Sequence, residues 1–209
     1  MRTKLNLDNW SRKSHFLFFK DFDEPFFGIT AEVDCTESYL YCKERGTSFF
    51  LRYLHKSLIS VNEMEPFRYR IEEDEVYVYD VINASATINR PDGTFGFCYI
   101  NFHRDYKIFE AQALAEIERV RNEKELVPGS LSANLIHFTS IPWVRFTSIS
   151  HARHFKSVDS VPKISFGKVS QVGKRFVMPV SVHVNHALMD GVHVGRYFEH
   201  FEAQLSYKE

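Results

Sequence analysis

The sequence predicts an α/β protein of mixed α+β layout, a mixed β-sheet packed with helices. Three observations carry that reading. Apolar residues alternate with a period of two in some stretches and of 3.6 in others, in irregular order. Hairpin signals recur, at Glu73-Asp74 and again across Gly173. Neither a GxGxxG nor a Walker A loop is present, so the common nucleotide-binding folds lose support. Recurrent hairpins between helices fit a mixed sheet better than a pure βαβ repeat.

The elements follow in order. Residues 9–19 read as a short helix leading into the core, and 28–34 (GITAEVD) alternate as a strand. Residues 36–43 are a first helix candidate. Residues 48–62 are a stronger one, with Phe50, Leu54, Leu58 and Val61 on one face. Strands at 68–71 and 75–79 flank the acidic turn, and further strands are expected at 86–88 and 96–102. Residues 108–121 place Phe109, Ala113, Ile117 and Val120 on one helical face. Residues 134–138 and 144–149 read as strands around Pro142-Trp143, and 163–169 pairs with 175–184 in a hairpin. A last helix, 192–205, has Val194, Phe198, Phe201 and Leu205 on its buried side.

No Pro/Gly/Ser linker and no internal repeat divides residues 1–209, so one domain is expected. Apolar residues make up 44% and charged residues 25%, which is globular composition. With 26 basic and 27 acidic residues, nothing builds a phosphate-tracking surface, and nucleic acid is not an expected partner. The 20 phenylalanines suit a core, an apolar pocket or a subunit interface. Cys35, Cys42 and Cys98 form no CxxC, and an odd number argues against a disulfide framework. A reducing cytoplasm suits them. The N-terminus lacks an apolar signal core, and no window approaches ~18 apolar residues, so no membrane span is expected.

Chemistry concentrates in residues 179–198, PVSVHVNHALMDGVHVGRYF. A strand runs to about Val184, then come His186 and, four residues on, Asp190-Gly191 ahead of a helix. A histidine leaving a buried strand end projects from a rigid support. A neutral imidazole there can take a proton from a hydroxyl. Asp190 also sits where a helix N-cap belongs, and a cap alone would account for it.

His186-Ala187-Leu188-Met189-Asp190-Gly191 resembles the HxxxDG signature of the CoA-dependent acyltransferases. Gly191-Val192-His193-Val194-Gly195-Arg196, Pro142-Trp143-Val144 with Phe146-Thr147-Ser148, and Asn9-Trp10, Arg12 and His15-Phe16 narrow the resemblance to the chloramphenicol acetyltransferases. The likeness runs from about residue 7 to the C-terminus. It implies the CoA-dependent acyltransferase fold and O-acetylation by direct transfer from acetyl-CoA as co-substrate. Chloramphenicol is the first-choice acceptor and antibiotic resistance the role. It also implies a homotrimer with intersubunit sites, and no metal. Position by position, His186 matches the general base, with Nδ1 bonded to its own backbone carbonyl. Asp190 matches a structural aspartate that pairs with an arginine, here Arg12. Thr139 matches the hydroxyl that donates to the oxyanion, with Ser140 beside it as the substitute if the strand shifts by one. Ser165 falls where a threonine holds an oxyanion-linked water, and Lys168 matches a lysine near CoA.

The sequence departs from that pattern at four places. Asn185 stands for the first of two adjacent histidines, Met189 for a cysteine, Phe19 for a tyrosine beside the catalytic ring, and Ser48 for a lysine near CoA. These bear on the acceptor more than on the reaction. Another hydroxylated xenobiotic or metabolite therefore stays open as acceptor, as does a non-catalytic trimer that binds small ligands. A dihydrolipoyl acyltransferase core is weaker, because nothing in residues 1–209 reads as a lipoyl domain or its linker. A zinc site at His183, His186 and His193 is weakened by strand geometry, which turns His183 and His186 to different faces.

Overall fold

The longest strand, Arg175–Asn185, lies second from one edge of the main sheet and ends at the residue before His186. Around it the computed structural model, which describes residues 1–126, 132–153 and 159–207, arranges fifteen regular elements apart from two short 3-10 turns. They are β1 (Arg2–Lys4), α1 (Lys13–Phe19), β2 (Phe26–Asp34), α2 (Thr36–Arg45), α3 (Phe49–Glu63), β3 (Tyr69–Glu72), β4 (Glu75–Tyr79), β5 (Asn83–Asn89), β6 (Phe95–Ile100), α4 (Tyr106–Asn122), β7 (Leu135–Ser140), β8 (Lys163–Phe166), β9 (Ser170–Val172), β10 (Arg175–Asn185) and α5 (Gly191–Ser206).

The main sheet has seven strands in the order β2-β10-β8-β7-β5-β6, with β9 beside β10. Parallel pairs β5–β7 and β7–β8 sit between antiparallel ones, so the sheet is mixed, as expected from the sequence. A second sheet of three strands, β1-β4-β3, includes β1, which the sequence did not announce. Its three residues carry no apolar pattern, and β1 forms by pairing with β4.

One face of the main sheet is apolar. Val180, Val182 and Val184 of β10, Ile164 and Phe166 of β8, and Ile136 and Phe138 of β7 are all buried and point into the core. Helices α3, α4 and α5 contribute to the same cluster through Leu54, Phe109 and Phe201. Helix α3 is buried on every side from Leu51 to Val61. That includes Arg52 and Lys56, which are polar positions on the outside of the expected stripe. Phe198 of α5 is only half-buried and Tyr197 takes the core position instead, its hydroxyl 2.6 Å from Ser57.

Two expected elements changed. No strand forms at 144–149: the Val144 N–H closes a turn on the Ile141 carbonyl, and the Val144 carbonyl takes the Lys168 N–H at 2.9 Å. The chain therefore bends across the strand ends. The expected strand at 163–169 is shorter, ending at Phe166 as β8, and the separate β9 follows at Ser170–Val172; between them the Gly167 N–H bonds the Pro179 carbonyl, and a Cβ there would meet the Pro179 ring at 2.4 Å. The three cysteines are buried and unpaired. Burial pushes the Cys35 and Cys98 thiols up to about 12, and raises Cys42 as well. Among the described residues no helix is long and apolar enough to cross a membrane.

The β3–β4 hairpin closes through Glu73 and Asp74, at φ 51° and 61°. Two positive-φ residues in a two-residue loop ask for Asn-Gly. Replacing Glu73-Asp74 by Asn-Gly should stabilise the protein by about 0.5–1 kcal/mol, read as a higher urea midpoint at unchanged m-value.

Candidate active site

Past the end of β10 the chain turns at once, and Asn185 makes the turn. Its carbonyl accepts the N–H groups of Leu188 and Met189 at 3.0 and 3.1 Å. Its side-chain oxygen accepts the Ala187 N–H at 2.9 Å, and its amide nitrogen donates to the Asp159 carbonyl at 3.1 Å. A residue that the sequence marked as a departure thus shapes the loop that carries His186.

The His186 N–H donates to the Pro25 carbonyl at 2.7 Å. Its Nδ1 lies 3.1 Å from the Met189 carbonyl. A carbonyl only accepts, so this bond places the proton on Nδ1 and leaves the Nε2 lone pair open. The resemblance had put this bond on the residue's own carbonyl. That carbonyl is instead the acceptor for an Arg12 guanidinium N–H at 3.3 Å. The imidazole stacks on Phe19, centroids 4.1 Å apart and planes 10° from parallel, and Phe27 packs at 4.7 Å. Phe27 was not singled out from sequence, where it reads as one more strand aromatic.

Arg12 also donates to Asp190. Asp190 caps α5 by accepting the Val192 N–H at 3.1 Å, and its own N–H donates to His193 Nδ1 at 3.1 Å. The His193 ring completes this capping box and stands 2.8 Å from the carboxylate. Burial raises the Asp190 carboxyl, and His193 and Arg12 together outweigh it, holding the group below its ordinary value.

Thr139 and Ser165 lie elsewhere, on the sheet face opposite the core. Parallel pairing sets Thr139 beside Ser165, which faces Ser181, which faces Thr30. The last two hydroxyls are 2.9 Å apart. The next row holds His137, Lys163, His183 and Gly28. A Cβ at Gly28 would stand 2.5 Å from the His183 ring, so glycine is what admits the imidazole. His151 reaches over this face, its Nε2 3.3 Å from the Ser165 hydroxyl. Burial, joined by the neighbouring positive charges, pushes His151 down to about 4, so that ring is neutral near pH 7.

Ser140, one residue on, faces the other way, as strand alternation requires. Its hydroxyl is 2.9 Å from that of Tyr53, and both line a cavity of about 650 Å³ at the ends of β7 and β8. Lys168 and Ser48 line it too, and Trp143 stands at it with 65% of its surface exposed. One wall is the α4 stripe Leu114, Ile117 and Arg121. Sequence reasoning named Ile117 as a core position and missed Leu114 and Arg121, which flank the core-facing positions of the same helix. Among the described residues no group of three His, Cys, Asp or Glu side chains could hold a metal ion.

Within one chain these two groups stay apart. His183 pairs with Lys163, and His186 lies three residues beyond it. Phe166, level with Ser140, lies three residues from Lys163 in the opposite direction. At ~3.3 Å per residue the imidazole loop and the cavity end are separated by roughly 20 Å along the strands.

Asp190→Ala removes a helix cap and the partner of a largely buried guanidinium. The loss should be about 1–3 kcal/mol, below the figure for a fully buried pair because the carboxylate side chain keeps 35% of its surface. A depressed carboxyl gives stability that is present above the unfolded-state value and lost as pH falls through the folded one. Parent and variant should therefore differ most near neutrality and converge in acid, in urea melts run as a pH series.

The chloramphenicol acetyltransferase family profile matches residues 1–202. Chloramphenicol acetyltransferase 3 of Escherichia coli is 28% identical over 203 residues, 96% of this chain and 95% of that one. A solved chloramphenicol acetyltransferase structure superposes at TM-score 0.91 with 30% identity, covering 98% of this chain and all of the other. The dihydrolipoamide acetyltransferase of Azotobacter vinelandii superposes at 0.64 with 17% identity, covering 87% of this chain and 82% of that one, and shares the fold. A sequence match that starts at the first residue, joined to a backbone match of this quality, leaves one assignment: the chain belongs to the chloramphenicol acetyltransferase family.

Proposed function

We propose that this protein transfers acetyl from acetyl-CoA to a hydroxyl of chloramphenicol, with His186 as general base. The observation that carries the reading is the state of the His186 ring. Its Nδ1 is committed to the Met189 carbonyl and its plane is fixed against Phe19, so Nε2 alone is left to accept a proton. In the proposed mechanism Nε2 takes the proton of the acceptor hydroxyl as that oxygen attacks the thioester carbonyl. Thr139 donates its hydroxyl to the resulting oxyanion, and Ser165 beside it holds a water on the same oxygen. Collapse expels the CoA thiolate, which takes the proton back from the imidazolium. Arg12 and Asp190 hold the loop and do not touch the reacting atoms. Acetylation blocks a free hydroxyl of the drug, and antibiotic resistance is the role we assign.

The roughly 20 Å between His186 and the cavity end supports a second part of the proposal. One copy supplies the imidazole, and a neighbouring copy supplies the hydroxyl row and the acetyl-CoA cavity with Lys168. Exposed Phe18, Phe22 and Val144 are apolar surface available for such a contact. The unit is a homotrimer of single-domain chains, 1–209, in the cytoplasm.

His186→Ala should lower acetylation of chloramphenicol by at least ~10²–10⁴-fold, while CoA binding by calorimetry is retained. Near-normal turnover in the variant, followed by chromatography of the acetylated product, would overturn the assignment. Light scattering at micromolar concentration should give three times the chain mass of 24.5 kDa. A monomer that still acetylates chloramphenicol would show that each site is complete within one chain.

A further inference from the structure

The 650 Å³ cavity has a charge pattern that the proposed reaction does not yet use. Among the described residues two charged side chains line it, Lys168 and Arg121, and no acidic one does. Its remaining surface is largely apolar, from Phe49, Phe50 and Leu51 of α3 to Ile88 of β5 and Val169. Such a cleft suits a ligand with an apolar arm and an anionic end.

Arg121 reaches the cavity because Leu114, Ile117 and Arg121 follow helical spacing along one stripe of α4. Ile117 is buried, while Leu114 is 53% exposed and faces the same opening as Trp143. The other arginine of this turn behaves differently. Arg119 is bound to Glu116 through two nitrogens, at 2.8 and 2.7 Å, and approaches Glu123 at 3.5 Å. Among the described residues no hydrogen bond or ion pair engages Arg121. Arg90, one residue past the lining residue Asn89, is held by the carbonyls of Val120 and Glu125 with no carboxylate partner among the described residues, and adds positive potential behind the same wall. An exposed guanidinium beside apolar surface, without a partner among the described residues and next to one that is doubly paired, is poised for a ligand anion.

We propose that Arg121 is a recognition residue for the phosphate groups of the acyl donor, acting with Lys168 from the opposite wall of the cleft. The pantetheine arm then lies along the apolar interior toward the ends of β7 and β8, and the nucleotide end stays between Trp143 and Leu114. This rests on acetyl-CoA being the donor. Arg121 sets how tightly that donor binds and takes no part in the bond-making step.

The test compares acetyl-CoA with S-acetylpantetheine, which carries the same thioester and arm but no phosphate. Arg121→Gln should raise KM for acetyl-CoA roughly 5–10-fold at low salt, with kcat within about twofold of the parent. Its KM for S-acetylpantetheine should equal the parent value. Arg121→Lys should recover part of the loss, and the gap between parent and Arg121→Gln should shrink as ionic strength rises. Arg119→Gln, one turn-mate away, should leave KM for both donors unchanged. An unaltered KM for acetyl-CoA in Arg121→Gln overturns the inference, as does an equal loss with both donors, which marks a change in the cleft wall itself. A parent protein that neither turns over nor binds acetyl-CoA overturns the acetyl-CoA reading instead, so the two failures are distinguishable.

Discussion

Arg12 and Asp190 stand at opposite ends of the chain, and their contact fixes where His186 can be. One guanidinium grips the carboxylate that starts α5 and the carbonyl of His186 itself. The turn between them is already stiff, because Asn185 and Met189 have committed their own polar groups within it. The N-terminal arm thus acts as a strap across the loop after β10. Its grip matters more for position than for net stability, since a part-exposed ion pair returns little free energy beyond its desolvation cost. An imidazole held between a stacked Phe19 and a backbone carbonyl has few alternative orientations, which is what proton transfer requires.

Much of this was legible in the sequence where pattern and chemistry coincide. The strand-to-helix passage around His186 and Asp190 was marked by residue types that each have a local reason to be there. Helix α4 was readable from Phe109, Ala113, Ile117 and Val120, all buried. Other features were hidden for physical reasons. The stretch 144–149 has a strand's alternation, yet Pro142 and the Val144 turn carry it off the ladder before a partner is reached. Strand β1 has no apolar signature and exists through β4 alone. Arg70 looks like an ordinary strand cation, but it is fully buried and donates to four carbonyls, of Phe67, Tyr69, Ala133 and Leu135. No local pattern announces that use of a guanidinium.

The two faces of the main sheet divide the labour. The core face is valine, isoleucine and phenylalanine packed under helices. The other face carries small hydroxyls and imidazoles in adjacent rows. Strand alternation makes both from one set of residues, so Thr139 and Ser140, adjacent in sequence, open onto different environments. The spacing of a motif locates a hydroxyl to within one residue; the direction it faces comes from register with β8.

Burial of the three cysteines has a practical corollary. Cys35 donates its thiol to the Phe176 carbonyl at 3.2 Å, and none of the three sulfurs is at the surface. Thiols raised this far carry almost no thiolate, which is the reactive form. While folded, the protein is close to silent toward colorimetric disulfide reagents. Any thiol that develops colour during a reaction comes from a released leaving group and not from the protein, and a cysteine introduced on the surface would be the single site to take a label.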